Sequence, residues 1–369
     1  MHASKQVSIA VPRLYGGGAE KTTMQLAKLL ANENRVSRVY AGETEGAESF
    51  PELDIVDLRS LRARGAVTSL MGNLKDDPAG ILFMTLGYIN LAPFARLRSP
   101  SRKLVLRLGN TIGPELAPLS PYAQLRYRLL VQAACLAATK IIVQCNYMKE
   151  DLHKHVKVDD RKIQVIYNFV EDEIWQHSVS EDSPIASPYL FTAATMKPQK
   201  AFDTLLAAYA MARQRGVTDR KLVVAGVAED DPQILALMRA NQLSTEDVIC
   251  LGFVRNIYDL IAHSELCVLS SRYEGFCNFL LEAAALGKKI LATDSPGGNA
   301  ELFEKYGNVV SVPVDDVSRL CQGMGESRND LTVSEAQSSL ALFRRQPVFD
   351  RYRDALLEMG TGIAANGVG

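Results

Sequence analysis

The sequence predicts an α/β protein with two doubly wound, parallel-sheet halves, each Rossmann-like and facing the other across a central cleft. Three observations predict this. Short apolar runs alternate with amphipathic stretches along the chain, the pattern of parallel strands joined by crossover helices. The alternation breaks once, at a stretch rich in Ser, Asp and Pro (Ser178 to Pro188), and then restarts. The 369 residues also exceed what one ordinary core organises, so two domains are the default.

In the first half, the run Val7 to Val11 is followed by an amphipathic stretch from Gly18 to Ala31. Further strand-type runs are Val36–Tyr40, Ile81–Leu86, Lys103–Leu106, Ile141–Gln144 and Gln164–Tyr167. The second half supplies Tyr189–Ala194, Leu222–Ala225, Val248–Leu251, Leu266–Leu269, Ile290–Thr293 and Val309–Val312. Near the end, Val348, Phe349, Tyr352, Leu356 and Leu357 recur at helical spacing, and residues 360–369 read as frayed. The expected domains are 1–180 and 181–347, followed by a last helix over 348–360. Ligands of such sheets bind at the carboxyl ends of the strands, where the winding direction reverses.

Composition excludes several classes. A net charge of -1 argues against a bulk nucleic-acid binder. The six cysteines (135, 145, 250, 267, 277 and 321) form no CxxC pair and read as buried thiols of a reducing compartment. The first residues lack a charged-then-apolar leader pattern, and no apolar run reaches 18 residues, so the expectation is a cytoplasmic protein.

The most informative stretch is Ser270-Ser271-Arg272-Tyr273-Glu274-Gly275-Phe276-Cys277-Asn278-Phe279-Leu280-Leu281-Glu282. An apolar strand enters it and a helical pattern leaves it. Glu274 and Glu282 therefore flank a glycine turn and a helix start, whose amides suit an anion. A helix of seven residues rises roughly 10 Å, close to what a diphosphate puts between a sugar and a ribose. Gly275, Phe276, Cys277 and Asn278 make the turn between them.

Other strand ends carry weaker signals. The first strand leads to Gly16-Gly17-Gly18-Ala19-Glu20-Lys21-Thr22, where the backbone can approach a phosphate. It fits neither a P-loop, since Glu20 precedes the Lys-Thr pair, nor GxGxxG, since Lys occupies position 21. The second half opens with Thr195-Met196-Lys197-Pro198-Gln199-Lys200-Ala201-Phe202, with Lys200 at a helix start, where the helix dipole disfavours a cation unless an anion compensates it. Leu251-Gly252-Phe253-Val254-Arg255-Asn256 is a turn whose backbone, at Val254, could hold a nucleobase edge.

These segments resemble glycosyltransferase family 4, the retaining enzymes of GT-B fold. Leu251 to Phe303 is similar to the family's C-terminal domain, with Glu274 and Glu282 matching its E-x7-E element. Gly17-Gly18-Ala19-Glu20 resembles its N-terminal glycine turn, Met196 to Phe202 its phosphate segment, and Ile166-Tyr167-Asn168 its interdomain Asn. The departures are Thr195, where an Arg often stands, Ala201, where Gly follows the Lys, and Arg107-Leu108-Gly109-Asn110, where many members carry His or an acid.

The resemblance implies transfer of a sugar from a nucleoside diphosphate to a hydroxyl, with retained configuration. UDP-hexosamine or UDP-hexose is the first expectation for the donor and GDP-mannose the second. Lys200, the amides of Gly275 and Phe276, and Gly17-Gly18 would stabilise the departing diphosphate. Glu282 would accept from the ribose and Glu274 would hold the donor sugar. Arg107 and Asn110 are the acceptor-side candidates. No metal or cofactor is expected beyond the nucleotide-sugar co-substrate. The acceptor would be a glycan or a polyprenyl-diphosphate-linked saccharide of a surface polysaccharide. The final helix would cross back onto the first domain. Five cations (Arg96, Arg98, Arg102, Lys103 and Arg107), followed by Arg126 and Arg128, suggest an anionic membrane surface, placing the protein on the inner face of the cytoplasmic membrane. A UDP-sugar epimerase would act without acceptor, a phosphorylase would need phosphate or pyridoxal phosphate, and a scaffold subunit would bind nucleotide without turnover.

Overall fold

The computed structural model describes residues 6–177, 179–180, 182–326 and 331–357, so residues 360–369 and the expected helix beyond residue 357 lie outside the described residues. The chain forms two compact units, one holding residues 6–168 and 346–357 and the other residues 169–345. The Ser- and Pro-rich stretch thus falls in the second unit. Its two ends are tied together there: Val170 bridges to Arg344, and the Val170 N–H donates to the Phe343 carbonyl at 2.8 Å.

The first unit is a parallel sheet of seven strands among the described residues: β1 Val7–Arg13, β2 Val36–Glu43, β3 Ile55–Asp57, β4 Ile81–Thr85, β5 Lys103–Arg107, β6 Lys140–Val143 and β7 Ile163–Val165. Their order is β3-β2-β1-β4-β5-β6-β7. The winding direction therefore reverses between β1 and β4, which pair in register from Val7 with Ile81. β4, Ile-Leu-Phe-Met-Thr, is buried along its length, as a strand covered on both faces must be. β3 lies at the sheet edge and was not among the expected runs. Its three residues, none fully buried, are too few to show a period.

The second unit repeats the plan with β8 Tyr189–Ala193, β9 Lys221–Ala225, β10 Val248–Cys250, β11 Leu266–Leu269, β12 Ile290–Thr293 and β13 Val309–Val312. The order is β10-β9-β8-β11-β12-β13, all pairs parallel, with the reversal between β8 and β11. Leu190, Leu222, Val224 and Val268 from these strands pack with Phe202, Leu205, Leu206 and Tyr209 of the helix Phe202–Gln214. Burying each such large side chain contributes about 1.5–3 kcal/mol. Tyr209 stays in this core because its hydroxyl donates to the carbonyls of Arg220 (2.8 Å) and Asp247 (3.0 Å). The two halves are doubly wound parallel sheets, the fold class expected from the alternation.

Candidate active site

β8 and β11 are neighbours at the reversal of the second sheet, and the loops after them carry Lys200 and Glu274. Lys200 closes a short 3-10 turn, Pro198–Lys200, and the following helix begins at Phe202. Between them Ala201 sits at φ 49°, ψ 49°, the left-handed conformation that glycine adopts without a Cβ penalty. The ammonium of Lys200 meets Glu274 Oε1 at 2.6 Å. Sequence reasoning assigned the two residues separately and missed the pairing. They stand 74 positions apart, and only the adjacency of β8 and β11 joins them.

Glu274 is fixed from several directions. Ser271 Oγ donates to its Oε1 at 2.6 Å, Gln199 Nε2 lies 3.4 Å from its Oε2, and its own N–H donates to the Pro296 carbonyl at 2.9 Å. Gln199 also donates to the Tyr273 carbonyl at 2.8 Å, and the Gly298 N–H to the Gly275 carbonyl at 2.8 Å. Gly297 is required here: at φ 137° a Cβ would lie 1.8 Å from the Glu274 carbonyl oxygen. The Glu274 side chain is 7% exposed, while the Lys200 side chain is 17% exposed. Burial alone would lower the Lys200 pKa, but Glu274 together with Cys277 and Tyr273 holds the ammonium above its ordinary range. Lys200 is therefore a fixed cation at neutral pH.

Beyond Glu274, Gly275, Phe276 and Cys277 are buried, and Phe276 packs on Phe343 with ring centroids 5.5 Å apart. Burial, reinforced by Glu274, pushes the Cys277 thiol up to about 12, so it stays protonated and is no nucleophile. Asn278 opens the helix Asn278–Ala285, which carries Glu282, half-buried, four residues further on. On the other side of β8, Thr195 is exposed and Val254 half-buried. Their loops are laced together through Gly226, whose N–H donates to the Gly252 carbonyl at 2.7 Å while a Cβ on it would approach the Ala194 carbonyl oxygen to 2.7 Å.

In the first unit, Gly17 precedes the helix Gly18–Asn32, and its N–H donates to Glu20 Oε2 at 3.1 Å. A phosphate at this turn must displace the Glu20 carboxylate. Asn110 is half-buried; its Nδ2 donates to Glu115 Oε1 at 3.1 Å, and Tyr127 donates to Glu115 Oε2 at 2.5 Å.

Arg107 differs from the expected acceptor-side cation, being 1% exposed inside the unit. Its Nη2 donates to Asn168 Oδ1 at 2.7 Å and its Nε to the Tyr352 hydroxyl at 3.0 Å. The basic segment around it is corrected in part, since Arg98 stays exposed while two others are held by the protein. Arg102 is buried against Asp77 at 2.8 Å, and Arg96 donates to the carbonyls of Pro100, Arg102 and Ala137. An arginine that ends an apolar strand can point to solvent or lie among the neighbouring strand ends, and the sequence does not distinguish the two.

The first unit also exposes an apolar face. On the helix Pro121–Ala137, Tyr122, Leu125, Leu129 and Leu136 share one face and are exposed, Leu136 at 68%, while Val131, Ala134 and Cys135 bury the other. Arg126 and Arg128 are exposed on either side of this stripe. Leu97 (81% exposed) and Phe94 lie on the helix Ala92–Arg98, which Arg96 joins to the end of the longer helix at Ala137. Among the described residues no helix is long and apolar enough to cross a membrane.

Comparisons with known proteins agree with this architecture. Residues 16–174 match the model of Glycosyltransferase Family 4, and residues 187–330 match that of Glycosyl transferases group 1. A Campylobacter jejuni protein, N-acetylgalactosamine-N,N'-diacetylbacillosaminyl-diphospho-undecaprenol 4-alpha-N-acetylgalactosaminyltransferase, is 30% identical over 212 residues, 56% of each chain. N-acetyl-alpha-D-glucosaminyl L-malate synthase of Bacillus anthracis is 25% identical over 214 residues, 55% of this chain and 53% of that one. The chain thus spans about half the length of the curated relatives it matches. Among solved structures, Anabaena HepE in complex with UDP and glucose superposes with a TM-score of 0.79 at 18% identity, over 96% of this chain and all of that one. Sucrose-phosphate synthase of Thermosynechococcus elongatus gives 0.74 at 16% identity, over 94% and 97%. Two adjoining family matches that together span most of the sequence, on a pair of doubly wound sheets, bear out the resemblance to glycosyltransferase family 4 and its GT-B fold.

Proposed function

We propose that this protein is a retaining glycosyltransferase that moves a sugar from a nucleoside diphosphate to a hydroxyl of a glycan or lipid-linked saccharide in surface polysaccharide assembly. One observation carries the reading: a fixed cation and a buried carboxylate, Lys200 and Glu274, meet at the reversal point of a nucleotide-binding type of sheet. In the transition state the diphosphate gains negative charge and the sugar ring gains positive charge. Lys200 opposes the first and Glu274 the second, both already in place. The amides of Gly275 and Phe276 add to the diphosphate side, and Glu282 receives the ribose hydroxyls. Neutralisation by Lys200 and amides lets the reaction proceed without a metal ion, and no cofactor beyond the co-substrate enters it.

UDP-hexosamine or UDP-hexose is the favoured donor, with GDP-mannose second. The HepE structure holds UDP and glucose, and the Campylobacter relative is named for a transfer to a diphospho-undecaprenol-linked saccharide. A thermal-shift panel of UDP, GDP, ADP and their sugars tests the donor class. A ligand at 100 times its Kd stabilises by about 2.7 kcal/mol, enough to rank them. Glu274→Gln should lose about 10²–10³ in turnover while still binding UDP. No stabilisation by any nucleotide, or full activity in that variant, would end this reading.

The acceptor's lipid explains the exposed stripe of helix Pro121–Ala137, which fits the interface of an anionic bilayer. Its leucines and Tyr122 would enter the headgroup region, while Arg126 and Arg128 would meet lipid phosphates at about 1 kcal/mol each. On this reading the protein works at the inner face of the cytoplasmic membrane. Sedimentation with phosphatidylglycerol vesicles should pull the protein down at low salt, and Leu129→Glu with Leu136→Glu should release it. Failure of the unaltered protein to sediment would remove the membrane from the proposal.

A further inference from the structure

We propose that Arg272 is a positioning residue for sugar transfer, stapling the loop that carries Lys200 to two other strand-end segments of the same sheet. The inference rests on the role given to Lys200 above. Arg272 reaches the two residues just before Lys200: its N–H donates to the Gln199 carbonyl at 2.7 Å and its Nη1 to the Pro198 carbonyl at 2.7 Å. The rest of the guanidinium faces two carboxylates. Nη2 meets Asp203 Oδ2 at 2.7 Å and Asp315 Oδ1 at 2.9 Å, and Nε meets Asp315 Oδ2 at 3.0 Å. Asp203 lies in the first turn of helix Phe202–Gln214, and Asp315 lies in the loop after β13.

Asp315 is itself held for this task. Its backbone sits at φ 58°, and its Oδ1 accepts from Thr204 Oγ1 at 2.9 Å. One planar fork therefore ties the loop after β8, the start of the following helix and the loop after β13 to the strand end that also bears Glu274. Its ion pairs are partly exposed, 29% for Arg272, so their yield in global stability is small. Their yield in geometry is larger, because a fork fixes orientation where a point charge does not. The segment needs such fixing: Pro198–Lys200 is a single 3-10 turn leading into the left-handed Ala201. Among the described residues the Arg272 guanidinium bonds neither the Lys200 ammonium nor the Glu274 carboxylate, so its effect passes through their placement.

The test compares Arg272→Met, Arg272→Lys and Asp315→Asn with the unaltered protein, following UDP release from UDP-N-acetylglucosamine together with Tm and UDP binding. A misplacement of about 1 Å costs on the order of 100-fold, so Arg272→Met should lower kcat by about 10–100-fold. KM should change by less than about threefold, since ground-state binding of the nucleotide does not depend on the exact seat of Lys200. Arg272→Lys and Asp315→Asn, which each keep part of the fork, should fall between. A purely structural role would lower Tm and leave kcat of the folded protein unchanged. That result, or kcat and KM of Arg272→Met within about twofold of the unaltered protein, overturns the inference. If the unaltered protein gains no stability from any nucleotide, the reading of the site itself fails, and that outcome is told apart by being independent of residue 272.

Discussion

Each half of the molecule puts a buried or half-buried cation at the carboxyl end of its sheet, and the two cations have opposite company. Lys200 in the second unit faces a carboxylate, keeps a sixth of its side chain in solvent and sits on a loop. Arg107 in the first unit ends strand β5, is sealed from solvent and bonds only neutral groups, Asn168 and the Tyr352 hydroxyl. Among the described residues its Nη1 has no hydrogen-bond partner. The lesson is that residue type and strand-end position do not separate chemistry from scaffolding; the partner does. An accessible ammonium paired with a carboxylate can exchange that partner for a substrate anion. A guanidinium held by an amide and a phenol, with no path to water, has nothing to exchange.

Breaking the scaffold cation should give the larger effect on stability. Arg107→Met leaves two buried acceptors unmet, at about 1–3 kcal/mol each, and relieves one unpaired N–H. Urea unfolding should therefore show a loss of about 2–3 kcal/mol, with UDP affinity unchanged. A variant that loses UDP binding at full stability would instead return Arg107 to the site.

The pH dependence sharpens the other side of the comparison. Lys200 has a folded pKa raised above its unfolded value of 10.5: burial lowers it, but the attraction and hydrogen bond of Glu274, together with Cys277 and Tyr273, raise it by more. Its contribution is fully present below pH 10.5 and is lost as the pH rises through the folded value. Cys277 and Tyr273, the other ionisable neighbours that act on it, also favour the ammonium once charged. Stability curves of the unaltered protein and Lys200→Met should therefore converge in strong alkali and run parallel at neutral pH. Curves that run parallel throughout would separate Lys200 from the Glu274 charge.

The smallest effect concerns Ala201. A left-handed alanine costs about 1–2 kcal/mol relative to the right-handed form, whereas glycine adopts φ 49° freely but adds unfolded-state entropy and loses a buried methyl group. Ala201→Gly should raise stability by no more than about 1 kcal/mol, read by Tm. A loss would show that the methyl group's packing outweighs the backbone cost.

Much of this architecture was legible from the apolar runs, because strands buried on both faces carry near-continuous apolar residues, as β4, β11 and β12 do. Edge strand β3 was not, since Ile55–Asp57 is short and half-solvated. The acid pair stood out because Glu274 and Glu282 bracket an apolar turn and helix start that need no charge for folding. The pairing of Glu274 with Lys200 was invisible, being a product of sheet order. The burial of Arg102 and Arg107 was invisible for a related reason. Asp77 and Asn168, which receive them, come from segments 25 and 61 positions away.

The helix Arg345–Leu357 has a practical consequence for exchanging parts between relatives. Tyr352 supplies one of the two bonds to Arg107, although some 245 positions separate them. A chimera cut cleanly after Asn168 would mismatch the guanidinium with a foreign tail. Transplants of the second unit should therefore retain the host's own residues from 346 onward, making the swap an insertion rather than a fusion.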